Sequence, residues 1–225
     1  MCEVSKEQSI LDSWHKNAEP WVGAITNNEI ESRVLITNQS ILDVMTQYGG
    51  RSVLDIGCGE GWLVRELAKL GYVGVGIDGV PGLIEEAQKQ GGGDFFCVKY
   101  EDLLEYPFAD SFDVAVCNFS LIGKLSVAAV FRSMSGILSE QGFFVVQTLH
   151  PRSTHFKNDY SDGWRVGSWD GFNSAFTDPA PWYFRTVESW VELFKDAGLN
   201  LIEIKEPKNP ITGEHASIIM IGQKH

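Results

Sequence analysis

The chain has 225 residues, 44% of them hydrophobic, enough for one sizeable core, whereas two equal domains would each be small. Its formal charge of −12, from 30 Asp and Glu against 18 Lys and Arg, disfavours nucleic acid as a partner and suits a small or cationic substrate. The N-terminus lacks an apolar signal core, no run approaches 18 apolar residues, and the four cysteines show no paired metal spacing, so a reduced, cytoplasmic protein with no membrane segment and no metal is expected.

Residues 5–17 read as a short helix, which Ala18-Glu19-Pro20-Trp21 interrupts before a second helix from Glu29 to Tyr48. Ile30, Val34, Ile41, Leu42 and Met45 lie near one face of that second helix, and Gly49-Gly50 ends it, so residues 1–48 form a helical cap. Strand one, Ser52 to Ile56, runs into three alternating glycines and a helix as far as Leu70. Strand two ends at Asp78, a helix runs from Pro81 to Gln90, and strand three covers Phe95 to Val98. Strand four, Phe112 to Cys117, is apolar on both faces apart from Asp113, as a central parallel strand should be. The next helix carries Val127, Val130, Phe131, Met134, Ile137 and Leu138 at 3–4 spacing, and strand five, Gly142 to Leu149, ends in His150-Pro151.

Residues 152–184 hold no helix or strand period, yet nine of these 33 residues are aromatic against 12% for the whole chain. Disorder has the opposite composition. An aromatic insertion at the ligand end of a sheet reads as a lid or substrate wall within one domain of residues 1–225, with a homodimer contact as the alternative. A helix from Val187 to Ala197 follows, N-capped by Thr186 and stopped by Gly198; strands Leu199 to Lys205 and Ala216 to Gln223 then make a hairpin around Pro207–Pro210.

The chemistry concentrates in Val53-Leu54-Asp55-Ile56-Gly57-Cys58-Gly59-Glu60-Gly61. Glycines after a buried strand let backbone approach a ligand closely, and the helix behind them offers free amides. A dinucleotide fingerprint would place its third glycine where Trp62 stands, and Asp55 would repel a phosphate but could hold an ammonium directly or through water. Asp78 follows Gly57 by 21 positions, close to the roughly 20-residue spacing of a ribose-binding carboxylate. An adenosine with an amino-acid tail satisfies both acids.

Three segments in order, Asp55 to Gly61, Val73-Gly74-Val75-Gly76-Ile77-Asp78 and Phe112 to Asn118, resemble the class I S-adenosylmethionine-dependent methyltransferases, specifically the small-molecule type with motif (V/L)LDxGCGxG. The resemblance covers residues 30–150 well. It implies a Rossmann-like α/β fold whose seven-stranded sheet is mostly parallel with the last strand antiparallel and helices on both faces. It also implies S-adenosyl-L-methionine as cofactor, with S-adenosyl-L-homocysteine as product. The implied cofactor contacts are Asp55, Gly57, Cys58, Gly59, Asp78 and Gly79 around the turn, with Asn118 and Phe119 at the end of strand four. The N-terminal segment should fold over the cofactor through Trp21, Arg33 should meet its carboxylate, and Tyr100 and Glu101 should flank the adenine. Lys99 stands where many relatives carry an acid.

The acceptor is expected between the end of strand five and residues 152–184, with His150 as the general base because it can titrate near neutral pH at the carboxyl edge of the sheet. Tyr160, Tyr183 and Arg185 could orient the acceptor, while Trp164, Trp169 and Trp182 would form its apolar wall or a cage for a cation. A nicotinamide-dependent oxidoreductase and a non-catalytic cofactor-binding partner are the competing functions.

Overall fold

The computed structural model describes residues 2–48, 50–153 and 159–225; Gly49 of the expected helix stop and residues 154–158 of the aromatic segment lie outside them. The strands are β1 (Ser52–Ile56), β2 (Val73–Asp78), β3 (Asp94–Cys97), β4 (Phe112–Asn118), β5 (Leu138–Thr148), β6 (Gly163–Arg165), β7 (Trp182–Phe184), β8 (Leu199–Lys205) and β9 (Ile218–Lys224). Seven of them form one sheet in the order β3-β2-β1-β4-β5-β9-β8, with β9 antiparallel to both neighbours and the β3-β2-β1-β4-β5 pairings all parallel. The strand order reverses between β1 and β4, so a ligand crevice opens at their carboxyl ends.

Among the described residues six α-helices carry the rest: α1 (Glu3–Thr26), α2 (Asn38–Gln47), α3 (Trp62–Lys69), α4 (Pro81–Gln90), α5 (Leu125–Ile137) and α6 (Val187–Asp196). Val53, Leu54, Asp55 and Ile56 are all buried because helices cover both faces of β1. On one face Val130 and Phe131 of α5 and Trp190 and Phe194 of α6 join Leu54, Ile56 and Phe144 in a common core. On the other, Ile41 and Met45 of α2 and Leu63 and Leu67 of α3 join Val53, Val114 and Val145. Thr186 caps α6 as expected, its hydroxyl accepting from the Ser189 amide at 3.1 Å.

Four elements depart from the sequence reading. The first helix does not break at residues 18–21 but runs through Pro20 to Thr26, because its inward stripe, Ile10, Ser13, Asn17 and Ala24, continues past the proline. The second helix opens with a π-helical stretch, Arg33–Thr37, ahead of α2. Leu138 leaves the helix and begins β5, where it pairs with Phe112. The aromatic segment contains a hairpin, β6 with β7, in which Trp164 lies opposite Tyr183; three-residue strands are too short for alternation to register. Among the described residues no helix is long and apolar enough to cross a membrane.

Phe194 is fully buried, with ring centroids 5.1 Å from Phe131 and 5.7 Å from Phe144. Phe194→Ala should cost about 3–5 kcal/mol of stability, read as a lowered urea midpoint with an unchanged slope.

Candidate active site

The crevice is shaped by one sharp bend after β1. The amides of Gly57 and Cys58 both donate to the Ile77 carbonyl, at 2.8 and 2.9 Å, which turns the chain out of the sheet. Gly57, Gly59 and Gly61 take φ of +75°, +57° and +84°, and a Cβ on Gly57 would lie 2.2 Å from the Tyr100 hydroxyl. Only glycine satisfies both demands. The Trp21 indole nitrogen lies 3.3 Å from the position a Gly59 Cβ would take, so α1 lies across the turn.

Below the bend, Asp55 is 2% exposed and its Oδ1 has no hydrogen-bond partner among the described residues. Burial, then Glu60 and Asp78, push its pKa up to about 8. Oδ1 of Asn118, at the end of β4, is also buried without a partner. Arg33 faces the same small recess as Asp55 and Asn118, yet among the described residues it forms no ion pair. Its Nε donates to Asn38 Oδ1 at 3.2 Å, its guanidinium lies 5.0 Å from the Trp62 ring and 5.8 Å from that of Trp21, and burial lowers its pKa against Glu60 and Asp55. Glu60 is neutralised separately by Arg65 at 3.0 Å. Two acceptors without donors beside a guanidinium in no ion pair complement a group bearing both an ammonium and a carboxylate.

Asp78 is held for use. The Gly59 amide donates to Oδ2 at 3.0 Å and the Val80 amide to Oδ1 at 2.9 Å, each leaving a further lone pair, while burial outweighs these bonds and raises the pKa to about 6. Asp78, Gly79, Tyr100 and Glu101 line a first cavity that Trp14 and Trp21 cover. Cys58 lines the small recess beside Asp55, its side chain packed toward Gly76. A second cavity, of about 460 Å³, lies between the end of β5 and the aromatic insertion, with Trp169, Trp182, Tyr183 and Arg185 in its walls. Trp14, Trp21, Phe119 and Ile122 border both cavities.

Three residues assigned from sequence to the acceptor site are placed elsewhere. His150 is 1% exposed and lines neither cavity; its Nδ1 accepts from the Arg152 amide at 3.0 Å, its Nε2 meets Glu206 at 2.8 Å, and its ring stacks on His215 at 4.1 Å. A general base needs a free lone pair facing the acceptor, and this ring has none. His150, Glu206 and His215 are close enough to suggest a cation site, but the Arg152 amide forces the His150 proton onto Nε2, the atom a metal would need. Tyr160 donates to Glu188 at 2.7 Å and accepts from the Val187 amide, tying down the start of α6. Trp164 donates to Glu3 at 3.1 Å and braces α1. In the other direction, Trp14, assigned no role from sequence, borders both cavities; the helical stripe of Glu7, Ile10, Trp14 and Trp21 carries its signal.

The cover and the insertion are tied together. Asn17, fully buried, donates to the Thr177 carbonyl at 2.8 Å and accepts from the Thr177 amide at 2.9 Å, and Ser13 donates to the Asp178 carbonyl at 2.7 Å. Asn17→Ala strands the Thr177 amide, while the Thr177 carbonyl keeps its bond from the Trp169 indole at 2.9 Å, and should cost about 1–3 kcal/mol. The measurement is thermal unfolding alongside chymotrypsin digestion, with faster cleavage in residues 164–184 expected; unchanged cleavage would show that α1 does not hold the insertion.

Comparison with known proteins agrees with this geometry. A family model described as a methyltransferase domain matches residues 35–204. Malonyl-[acyl-carrier protein] O-methyltransferase of Legionella pneumophila is 32% identical over 105 residues, covering 45% of this chain and 37% of the relative. Ubiquinone biosynthesis O-methyltransferase of Actinobacillus pleuropneumoniae is 26% identical over 156 residues, covering 64% and 65% respectively. The chain therefore spans less than two thirds of the length of either curated relative. The crystal structure of Burkholderia thailandensis 1,6-didemethyltoxoflavin-N1-methyltransferase superposes with a TM-score of 0.67 at 18% identity, over 100% of this chain and 91% of that one, which shows the shared fold. With most of its length matched by the family model and the expected sheet in place, the chain belongs to the class I S-adenosylmethionine-dependent methyltransferases.

Proposed function

We propose that this protein transfers the methyl group of S-adenosylmethionine to a small-molecule acceptor held in the aromatic cavity. One observation carries the reading: the donor-less oxygens of Asp55 and Asn118 share a recess with the guanidinium of Arg33, which forms no ion pair among the described residues. That set fits an amino-acid tail and would repel a pyrophosphate. The bound cofactor supplies an electrophilic sulfonium methyl. In this reading Asp55 and Asn118 accept from the ammonium and Arg33 donates to the carboxylate. Asp78 accepts from the ribose hydroxyls, Tyr100 and Glu101 flank the base, and Gly57, Gly59, Cys58 and Gly79 leave backbone room. Phe119 and Trp21, shared by both cavities, mark where the acceptor meets the methyl. Trp169, Trp182 and Tyr183 then hold the acceptor in line, and rate enhancement comes from that near-attack geometry, with no base assigned.

Calorimetry with S-adenosylmethionine and S-adenosylhomocysteine tests the reading, and no saturable binding of either would remove it. Asp78→Ala should weaken the cofactor by about 2 kcal/mol, roughly thirtyfold; an unchanged dissociation constant would reassign the ribose contact. Asp55 adds a pH signature. Its pKa of about 8 in the free protein means that most molecules carry the proton at pH 7, whereas an ammonium ligand binds the carboxylate. Binding at pH 7 should therefore release about one proton, and affinity should rise from pH 6 and level off above about 8. By the same linkage, Asp55 favours the free fold at low pH and that contribution is lost as pH rises through about 8, because the folded pKa exceeds the unfolded one. Asp55→Asn should abolish the proton release in buffers of differing ionisation enthalpy, and a pH-independent wild-type affinity would take Asp55 out of the ammonium contact.

A further inference from the structure

The larger cavity has an unexpected charge character. The chain carries 30 acidic residues and a net charge of −12, yet among the described residues lining this cavity there is no Asp or Glu, and the only charged groups are Arg33 and Arg185. Arg33 stands at the seam with the small recess, where the proposed cofactor tail engages it. Arg185 has no such claimant.

Arg185 directly follows β7 and precedes the cap of α6, which fixes its backbone at the cavity wall. The side chain is 5% exposed and forms no ion pair among the described residues. One terminal nitrogen donates to the Gly123 carbonyl at 2.8 Å and the other to the Lys124 carbonyl at 3.1 Å, so some of its five N–H groups stay unclaimed. Its guanidinium lies 4.8 Å from the Tyr183 ring and 5.1 Å from the Trp190 ring, so two aromatic rings at this wall already face a cation. Burial lowers its pKa to about 10 against the pull of Tyr183, Asp162 and Glu7, none of which meets it in an ion pair. A buried guanidinium that meets no carboxylate directly is costly, and a ligand anion placed against it relieves that cost.

We infer that the acceptor is a flat apolar or aromatic molecule carrying an anionic group such as a carboxylate, and that Arg185 binds that group. This rests on the aromatic cavity being the acceptor site. It overrules both the cationic substrate suggested by net charge and the cation cage suggested by the tryptophans: with Arg33 engaged by the proposed cofactor tail, the charge left in a wall lined by no Asp or Glu among the described residues is the buried guanidinium of Arg185, which repels a cation whatever the overall charge of the surface. The aromatic walls provide area and the guanidinium provides orientation, because a planar fork accepts a carboxylate in one geometry.

The test compares three probes of one shape on protein saturated with S-adenosylhomocysteine: 2-naphthoate, 2-naphthamide and 2-naphthylmethylamine, by calorimetry. The acid should bind at least about tenfold more tightly than the amide, and the amine least of all. Arg185→Gln should cost the acid about tenfold, bring acid and amide to within about threefold of each other, and leave S-adenosylhomocysteine affinity within about twofold. Arg185 also holds two loop carbonyls, so circular dichroism checks each variant, and Arg185→Lys should retain a reduced preference for the acid because it keeps the charge. Equal binding of acid and amide, preference for the amine, no binding of 2-naphthoate or indole-3-acetate, or an unchanged acid affinity in folded Arg185→Gln would each overturn the inference. Failure of S-adenosylhomocysteine to bind would instead sink the methyltransferase reading, and the acid preference of the cavity is then read on the free protein.

Discussion

The Ile77 carbonyl accepts two amides at once, and the rest of the site depends on that bend. It ends β1 abruptly, so Asp55 remains in the sheet with parallel strands on both sides, opposite Gly76 of β2 and Val116 of β4. A side chain so placed cannot swing out to water, and its unpartnered oxygen is a cost that only a ligand or a proton can relieve. Gly76 is part of the same constraint: a Cβ there would meet Phe95 at 2.6 Å and Cys58 at 2.8 Å, forcing the bend apart. The free protein thus stores an electrostatic deficit at the position where the proposed cofactor carries positive charge.

A second dependency runs through α1. Glu7 accepts from the amides of Lys124 and Leu125 and from the Ser126 hydroxyl, so a carboxylate from α1 caps α5 and benefits from its N-terminal dipole. Farther along, Asn17 holds Thr177 on both its amide and its carbonyl, and between these two anchors Trp14 stacks edge-on against Trp21 at 5.1 Å and Trp169 at 5.7 Å. Cover and aromatic insertion are therefore one packed unit. Lifting α1 from the first cavity breaks the same contacts that shape the second, which couples access to the two.

Much of this was legible from residues alone where the physics is local. Parallel strands buried on both faces, the alternating glycines and the spacing from Gly57 to Asp78 each express a constraint within a few residues of itself, and α4 and β8 match their expected limits. The misreadings have distant causes. Pro20 stays helical because its neighbours pack on partners from other segments. His150 looks like a poised base until Glu206, 56 positions later, and the Arg152 amide claim its nitrogens. Tyr160 and Trp164 spend their polar atoms on Glu188 and Glu3. Trp14 was the avoidable miss, because a helical face that carries Trp21 to the first cavity also carries the residue two turns before it.

The withdrawal of His150 puts weight on the junction between the cavities. Phe119, the first residue after β4, takes φ of +56°, a conformation that costs a residue with a Cβ about 1–2 kcal/mol. Two bonds maintain it: the Phe119 amide donates to the Gln147 carbonyl at 2.8 Å, and the Ser120 hydroxyl donates to the Ile56 carbonyl at 2.7 Å. Continuing β4 as a regular strand would carry the next side chains along the sheet; the left-handed turn instead sets the Phe119 ring at the boundary of both cavities. Backbone strain held by flanking structure is a way to fix a wall where two reactants meet. In a transfer that depends on alignment more than on proton movement, a rigid partition does for the geometry what a base would do for the chemistry.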